Sequence, residues 1–126
     1  MSKPLFGKLF GDRGYISQAL FDELDADGDG LAHCAAQFRR LGTPVEAVTA
    51  DVTSQAACAA AMARFVDRFG GIDVLFNNAG ITQRGAFRDT DVSVYQKVMA
   101  VNFFGALYCT KAAIDSLIER QGVIIV

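Results

Sequence analysis

The sequence has only three cysteines, Cys34, Cys58 and Cys109, and no two of them form a close C-x-x-C pair. That excludes a disulfide framework and a cysteine-based zinc site as organising principles, and it fits a reducing, cytoplasmic setting. An excess of charge of either sign is lacking as well. The net charge is −2, so there is no broad basic face with which to grip nucleic acid. No apolar run approaches the roughly 20 residues that span a bilayer. Lys3, Lys8, Asp12 and Arg13 interrupt the N-terminus before a signal-peptide core could form. The expected partners are small molecules or proteins, with neither nucleic acid nor membrane among them.

What the chain does have is a high apolar share, 52% over 126 residues, enough for one small domain. Its apolar positions are periodic. Leu31, Cys34, Ala35, Phe38 and Leu41 fall on one helical face, and Gly42 with Pro44 supplies the stop. Residues 45–48 read as a strand. Cys58, Ala61, Met62, Phe65, Val66 and Phe69 then form the core-facing stripe of a helix over 54–69, closed by Gly70 and Gly71. Ile72, Val74, Leu75 and Phe76 make a second short strand, of the kind buried on both faces of a parallel sheet. Strand, helix and strand joined by such short connections are a βαβ unit and imply a parallel pairing somewhere in the sheet.

Directly after that second strand stand Asn77, Asn78, Ala79 and Gly80. Two side-chain amides and a small, open backbone therefore lie beyond the strand's carboxyl end, the edge at which open α/β sheets bind ligands. A polar loop over 81–90 leads into a helix predicted from 91 to 120, with Thr90 or Asp91 as its cap. Residues 98–109 are almost wholly apolar, so this helix is expected to be buried on more than one side, while Lys97, Lys111 and Asp115 rule against a membrane span. Asn102 in its middle is costly unless its amide is satisfied. Residues 122–126 read as the next strand.

Asn77-Asn78-Ala79-Gly80 after a hydrophobic strand, with Asp51-Val52 upstream and Val101-Asn102 downstream, resembles the short-chain dehydrogenase/reductase family from about residue 31 to 126. The resemblance implies an α/β fold, a partial Rossmann-type three-layer sandwich with a parallel sheet, missing its first strands and its C-terminal half. A complete domain of this kind is roughly twice as long as this chain. In the implied strand order, 3-2-1-4-5, strands one and two would separate 45–48 from the strand at 72–76. The implied cofactor is NAD or NADP and the implied substrate a small alcohol or carbonyl compound. Asp51 would contact the adenine amino group with Val52 beside the ring, unless Asp51, Thr53 or Ser54 merely caps the next helix. Asn77, Asn78, Ala79 and Gly80 would form the nicotinamide-side turn, and Asn102 would hold a water in the catalytic proton relay. The helix over 91–120 would pair with its copy in a second subunit, giving a homo-oligomer.

The family's TGxxxGxG turn and its Tyr-x-x-x-Lys are both missing from these residues. Tyr15 is followed at the fourth position by Ala19, Tyr95 by Met99 and Tyr108 by Ala112. The expectation is therefore a segment of an NAD(P)-dependent oxidoreductase that is inactive alone, or a non-catalytic module that dimerises with an intact dehydrogenase through 91–120.

Residues 1–27 read as a foreign N-terminal segment, a short strand at 5–10 and a helix over 16–24, joined to a dehydrogenase-like domain over 28–126. Gly11-Asp12-Arg13-Gly14-Tyr15 resembles a stretch of DDE-type insertion-sequence transposases, in which the aspartate binds metal. No transposase context for further carboxylates follows, so Asp12 reads as a loop residue. Asp25, Asp27, Asp29 and Gly30 match the first half of an EF-hand loop, but its twelfth position is Ala36 where a bidentate Glu is required. No metal site is expected.

Overall fold

A computed structural model describes residues 28–42 and 44–126. The readings made at 5–10, 16–24, Asp12, Asp25 and Asp27 lie outside the described residues. Helix α1 spans Gly28–Arg40 and buries Ala35. Leu41, expected on the same face, is 78% exposed. The helix stops one residue before it, and Gly42 turns the chain away with a φ of 75°.

The strand expected at 45–48 does not form; only Thr49 makes an isolated bridge. A strand persists through ladder hydrogen bonds to a neighbour, and among the described residues the only ladder joins two other segments. The apolar pattern of 45–48 serves packing instead, since Val45 is buried and Val48 lies against the core.

Helix α2, Gln55–Phe69, follows its predicted stripe closely. Cys58, Ala61, Met62 and Phe65 are buried, with Val66 and Phe69 packed against the same core. Ser54 caps its start by accepting a bond from the Ala57 N–H. Gly70, at a φ of 75°, ends it by donating to the Val66 carbonyl. Burying a side chain such as Phe65 is worth about 1.5–3 kcal/mol.

Strand β1, Val74–Phe76, pairs in parallel with β2, Val123–Ile125, with Val74 opposite Val123 and Phe76 opposite Ile125. The crossover between them carries a 3₁₀ turn at Phe87–Asp89, helix α3 at Val92–Met99, a wide π turn at Ala100–Gly105 and helix α4 at Ala106–Glu119. Asp91 caps α3 by accepting from the Ser93 N–H. The single helix predicted over 91–120 is thus one run with a widened turn in its middle, not a regular α-helix throughout.

Val101, Gly105, Cys109, Ala113 and Leu117 form the buried edge of that run, and α4 packs chiefly on α2. Contrary to expectation, the other sides of the run are open. Met99, Phe103, Phe104 and Leu107 remain 39–54% exposed; among the described residues the helix packed on this run is α2, on its buried edge. The strand pair is likewise covered on one face. Leu75 points into the core, while Val74, Phe76, Val123 and Ile125 share the opposite, exposed face. The described residues thus supply one helical layer on a parallel pair, with the carboxyl end of β1 opening beside the π turn.

Candidate functional site

The site is the turn that leaves β1. Asn77 extends the ladder by one bond, its N–H donating to the Ile125 carbonyl at 2.8 Å. Its side-chain amide turns the other way and donates to Thr110 Oγ1 on α4 at 2.9 Å. Four residues on, the Ile81 N–H donates to Asn102 Oδ1 at 2.8 Å, and Asn102 Nδ2 donates back to the Ile81 carbonyl at 3.0 Å. The amide of Asn102 thereby mimics a neighbouring strand for one residue, satisfying both its own groups and those of the loop. Asn102 is also exposed, so an Asn in this apolar run carries no burial cost here. Asn102 sits inside the π turn, and such turns often mark functional positions in helices.

Between these anchors run Asn78, Ala79 and Gly80. Gly80 approaches Asn102 closely enough that an added Cβ would lie 3.7 Å from Oδ1, an ordinary contact. A small cleft opens in front of the turn, lined by Val52, Phe76, Asn77 to Ala79, Gly105, Ala106 and Cys109. Its floor depends on Gly105. A Cβ there would meet Val52 Cγ2 at 3.0 Å, so the helix approaches the 51–54 turn as closely as a missing side chain permits. Val52 is 1% exposed, and Cys58 Sγ donates to its carbonyl at 3.5 Å.

Asp51 stands at the rim of the same turn. Its Oδ1 accepts from Thr53 Oγ1 at 2.7 Å and from the Thr53 N–H at 2.9 Å. These bonds, the hydroxyl first and the backbone second, hold its carboxyl below the ordinary range against a small opposing effect of burial. Both fall on one oxygen, leaving Oδ2 for another donor. The capping role belongs to Ser54, so Asp51 is not needed to start α2.

The structure therefore brings Val52 and Asn77 to Ala79 together around one cleft, with Gly80 and Asn102 at the end of the turn and Asp51 beside Val52. Sequence reasoning missed Thr110, Gly105 and Cys109. For Gly105 there was a signal, a glycine inside a helical apolar run; for Thr110 and Cys109 there was none. Tyr95 and Tyr108 lie in α3 and α4 against Phe87 and Phe104 respectively, away from any Lys at the required spacing.

The chain is similar to several characterised proteins. It is 47% identical over 74 residues to dehydrogenase/reductase SDR family member 7B of Rattus norvegicus, which covers 59% of this chain and 23% of that one. It is 39% identical over 98 residues to the inactive 2-(S)-hydroxypropyl-CoM dehydrogenase 2 of Xanthobacter autotrophicus, covering 78% of this chain and 41% of the other. Among solved structures it is similar to a gluconate 5-dehydrogenase from Burkholderia cenocepacia in complex with NADP and tartrate. That match has 32% identity and a TM-score of 0.70, and covers 79% of this chain and 40% of that one. The chain thus spans less than half the length of these relatives, and its fold is a partial Rossmann-type α/β fold. The family model for short chain dehydrogenase matches residues 18–126, and the chain belongs to that family.

Proposed function

We propose that these residues form the cofactor-facing rim of an NAD(P)-dependent oxidoreductase acting on an alcohol or carbonyl substrate. The observation that carries this reading is the turn over 77–81, held at both ends by the crossover helix and opening on a cleft floored by Val52 and Gly105. The donor set fits such a ligand. Asp51 is an ionised acceptor with one oxygen uncommitted, suited to an exocyclic amino group such as that of adenine. Val52 offers an apolar edge for a flat ring, and the small residues Ala79 and Gly80 let backbone approach the ribose and nicotinamide. When bound, the cofactor accepts or donates a hydride.

Asn102 uses both ends of its amide on Ile81, so its proposed part is to fix the turn and to hold a water by its second lone pair or second hydrogen. Carbonyl reduction also needs a general acid in reach of the substrate, and no Tyr-x-x-x-Lys occurs in these 126 residues. The proposal is accordingly cofactor recognition without turnover by this chain alone. Titration with NADH and with NADPH, followed by nicotinamide fluorescence, is expected to saturate for at least one of them, and no alcohol is expected to drive NAD(P)⁺ reduction. Absence of saturation for both would overturn the cofactor reading, and turnover would overturn the inactivity.

One observation favours a second reading, a non-catalytic module that pairs with an intact dehydrogenase or with its own copy. Met99, Phe103, Phe104 and Leu107 leave an apolar, partly aromatic face open on the crossover helix, with the rings of Phe103 and Phe104 edge to face at 5.2 Å. Exposed patches of this kind mark interaction surfaces. Sedimentation at micromolar concentration tests it for the copy: a dimer that Phe103→Glu dissociates supports the reading, and a stable monomer removes that form of it.

A further inference from the structure

We propose that Thr110 is a positioning residue for the cofactor-facing turn, acting through Asn77; its consequence for the cofactor rests on the reading above. The crossover helix grips the turn at two points. Asn102 holds the far end through the paired bonds to Ile81, and Thr110 holds the near end by accepting from the Asn77 side-chain amide. Asn78, Ala79 and Gly80 span the interval, so the two grips help to set the path of their backbone.

The spacing of the grips depends on the helix itself. Two positions eight residues apart in regular α-helix differ by about 80° around the axis. A π turn winds less per residue, and the one at Ala100–Gly105 contains Asn102 and continues into the interval that leads to Thr110. The slower winding narrows that angle and lets both side chains reach one short loop. Asn77 adds a second constraint. Its backbone N–H is already fixed on Ile125 of β2, so the bond to Thr110 ties strand pair, turn and helix at a single residue.

Thr110 supplies only an oxygen to this arrangement, which makes the chemistry separable from packing. Thr110→Val keeps the shape and removes the acceptor, whereas Thr110→Ser keeps the acceptor and removes a methyl. In the isotopically labelled chain, the Asn77 side-chain amide protons are expected to exchange slowly in the wild type and in Thr110→Ser, and to lose that protection in Thr110→Val. NADH affinity is expected to fall roughly threefold to tenfold in Thr110→Val, the range given by one lost hydrogen bond, and to recover in Thr110→Ser.

If Thr110→Val also lowers the melting temperature, a cycle with Asn77→Ala decides. Non-additive loss supports the coupling, and fully additive loss overturns it. Unchanged Asn77 protection in a folded Thr110→Val chain would also overturn the inference. If the wild-type chain takes up no NADH, the cofactor reading fails on that result alone, and the amide signal still decides the role of Thr110.

Discussion

The two ends of the β1–crossover–β2 unit are built differently. At the amino end the chain is closed. The Ile72 N–H donates to Ser116 Oγ at 2.8 Å, the Val123 N–H to the Asp73 carbonyl at 2.9 Å and the Gly122 N–H to the Leu117 carbonyl at 2.7 Å. Arg120 forks onto Asp73 through Nε and Nη2 at 2.8 and 3.0 Å. An added Cβ on Gly122 would sit 2.6 Å from the Asp73 carbonyl oxygen and 2.7 Å from Leu117 Cδ2, so no other residue fits without a backbone shift.

At the carboxyl end the side-chain amides of Asn77 and Asn102 hold a turn whose middle faces a cleft. The closed end fixes how strand and helix meet. The open end is held through side-chain amides and keeps backbone available for a ligand. A parallel βαβ unit thus divides its labour along the strand axis, in line with ligand binding at the carboxyl edge of such sheets.

The comparison is broken most sharply at the closed end. Gly122→Ala is expected to cost about 1–3 kcal/mol through overpacking against backbone, read as a lower midpoint in urea. NADH affinity below the transition should stay unchanged, because the rim lies at the other end of the strand. A rim that loosens along with the base would show that the two ends are not separate.

Asn102 probes the open end. Asn102→Asp keeps an acceptor for the Ile81 N–H but sets a carboxylate against the Ile81 carbonyl. Asn102→Ala removes both bonds, each worth about 0.5–1.5 kcal/mol. Both variants are expected to weaken NADH binding by roughly tenfold and to shift the Ile81 amide resonance. A stability loss in Asn102→Ala well beyond two such bonds would mean that Asn102 supports the core and not only the rim.

The smallest effect is electrostatic. The Thr53 bonds stabilise the charged form of Asp51, so its folded pKa lies below the unfolded one. The associated stability is present above the ordinary carboxylate value near 4 and is lost as pH falls through the lowered folded value. Thr53→Val removes the larger of the two bonds and is expected to bring the Asp51 carboxyl back toward its ordinary value in a carbon-detected titration. Acid unfolding should hardly change, because the group is exposed.

Much of the frame was legible in the residues because it is local. The stripe of α2 and its Gly70 stop follow from spacing and glycine chemistry, and the crossover helix ends within a residue of its prediction. The short strands at 74–76 and 123–125 stand where apolar β-formers meet turn residues. What escaped was set by contacts distant in sequence. Residues 45–48 have the composition of a strand, but a ladder needs a partner, which composition does not supply.

Leu41 continues the apolar period of α1, yet the helix stops before it. The π turn lies in an almost wholly apolar run with no periodic cue, and the close packing of Gly105 is explained only by how near Val52 comes. The cleft residues Val52 and Asn77 to Ala79, with Asp51 and Gly80 beside them, were visible as motifs. Thr110 was not, because its partner lies 33 positions away.

The proposed cofactor surface is the carboxyl edge of β1, not the closed end. It is tested most directly by following backbone amide shifts of the labelled chain during an NADH titration. The expected result is a set of saturating shifts at Asp51, Val52, Asn78, Ala79 and Gly80, with Gly71, Asp73 and Gly122 unmoved. Shifts confined to the closed end or to α1, or none at millimolar NADH, would contradict it.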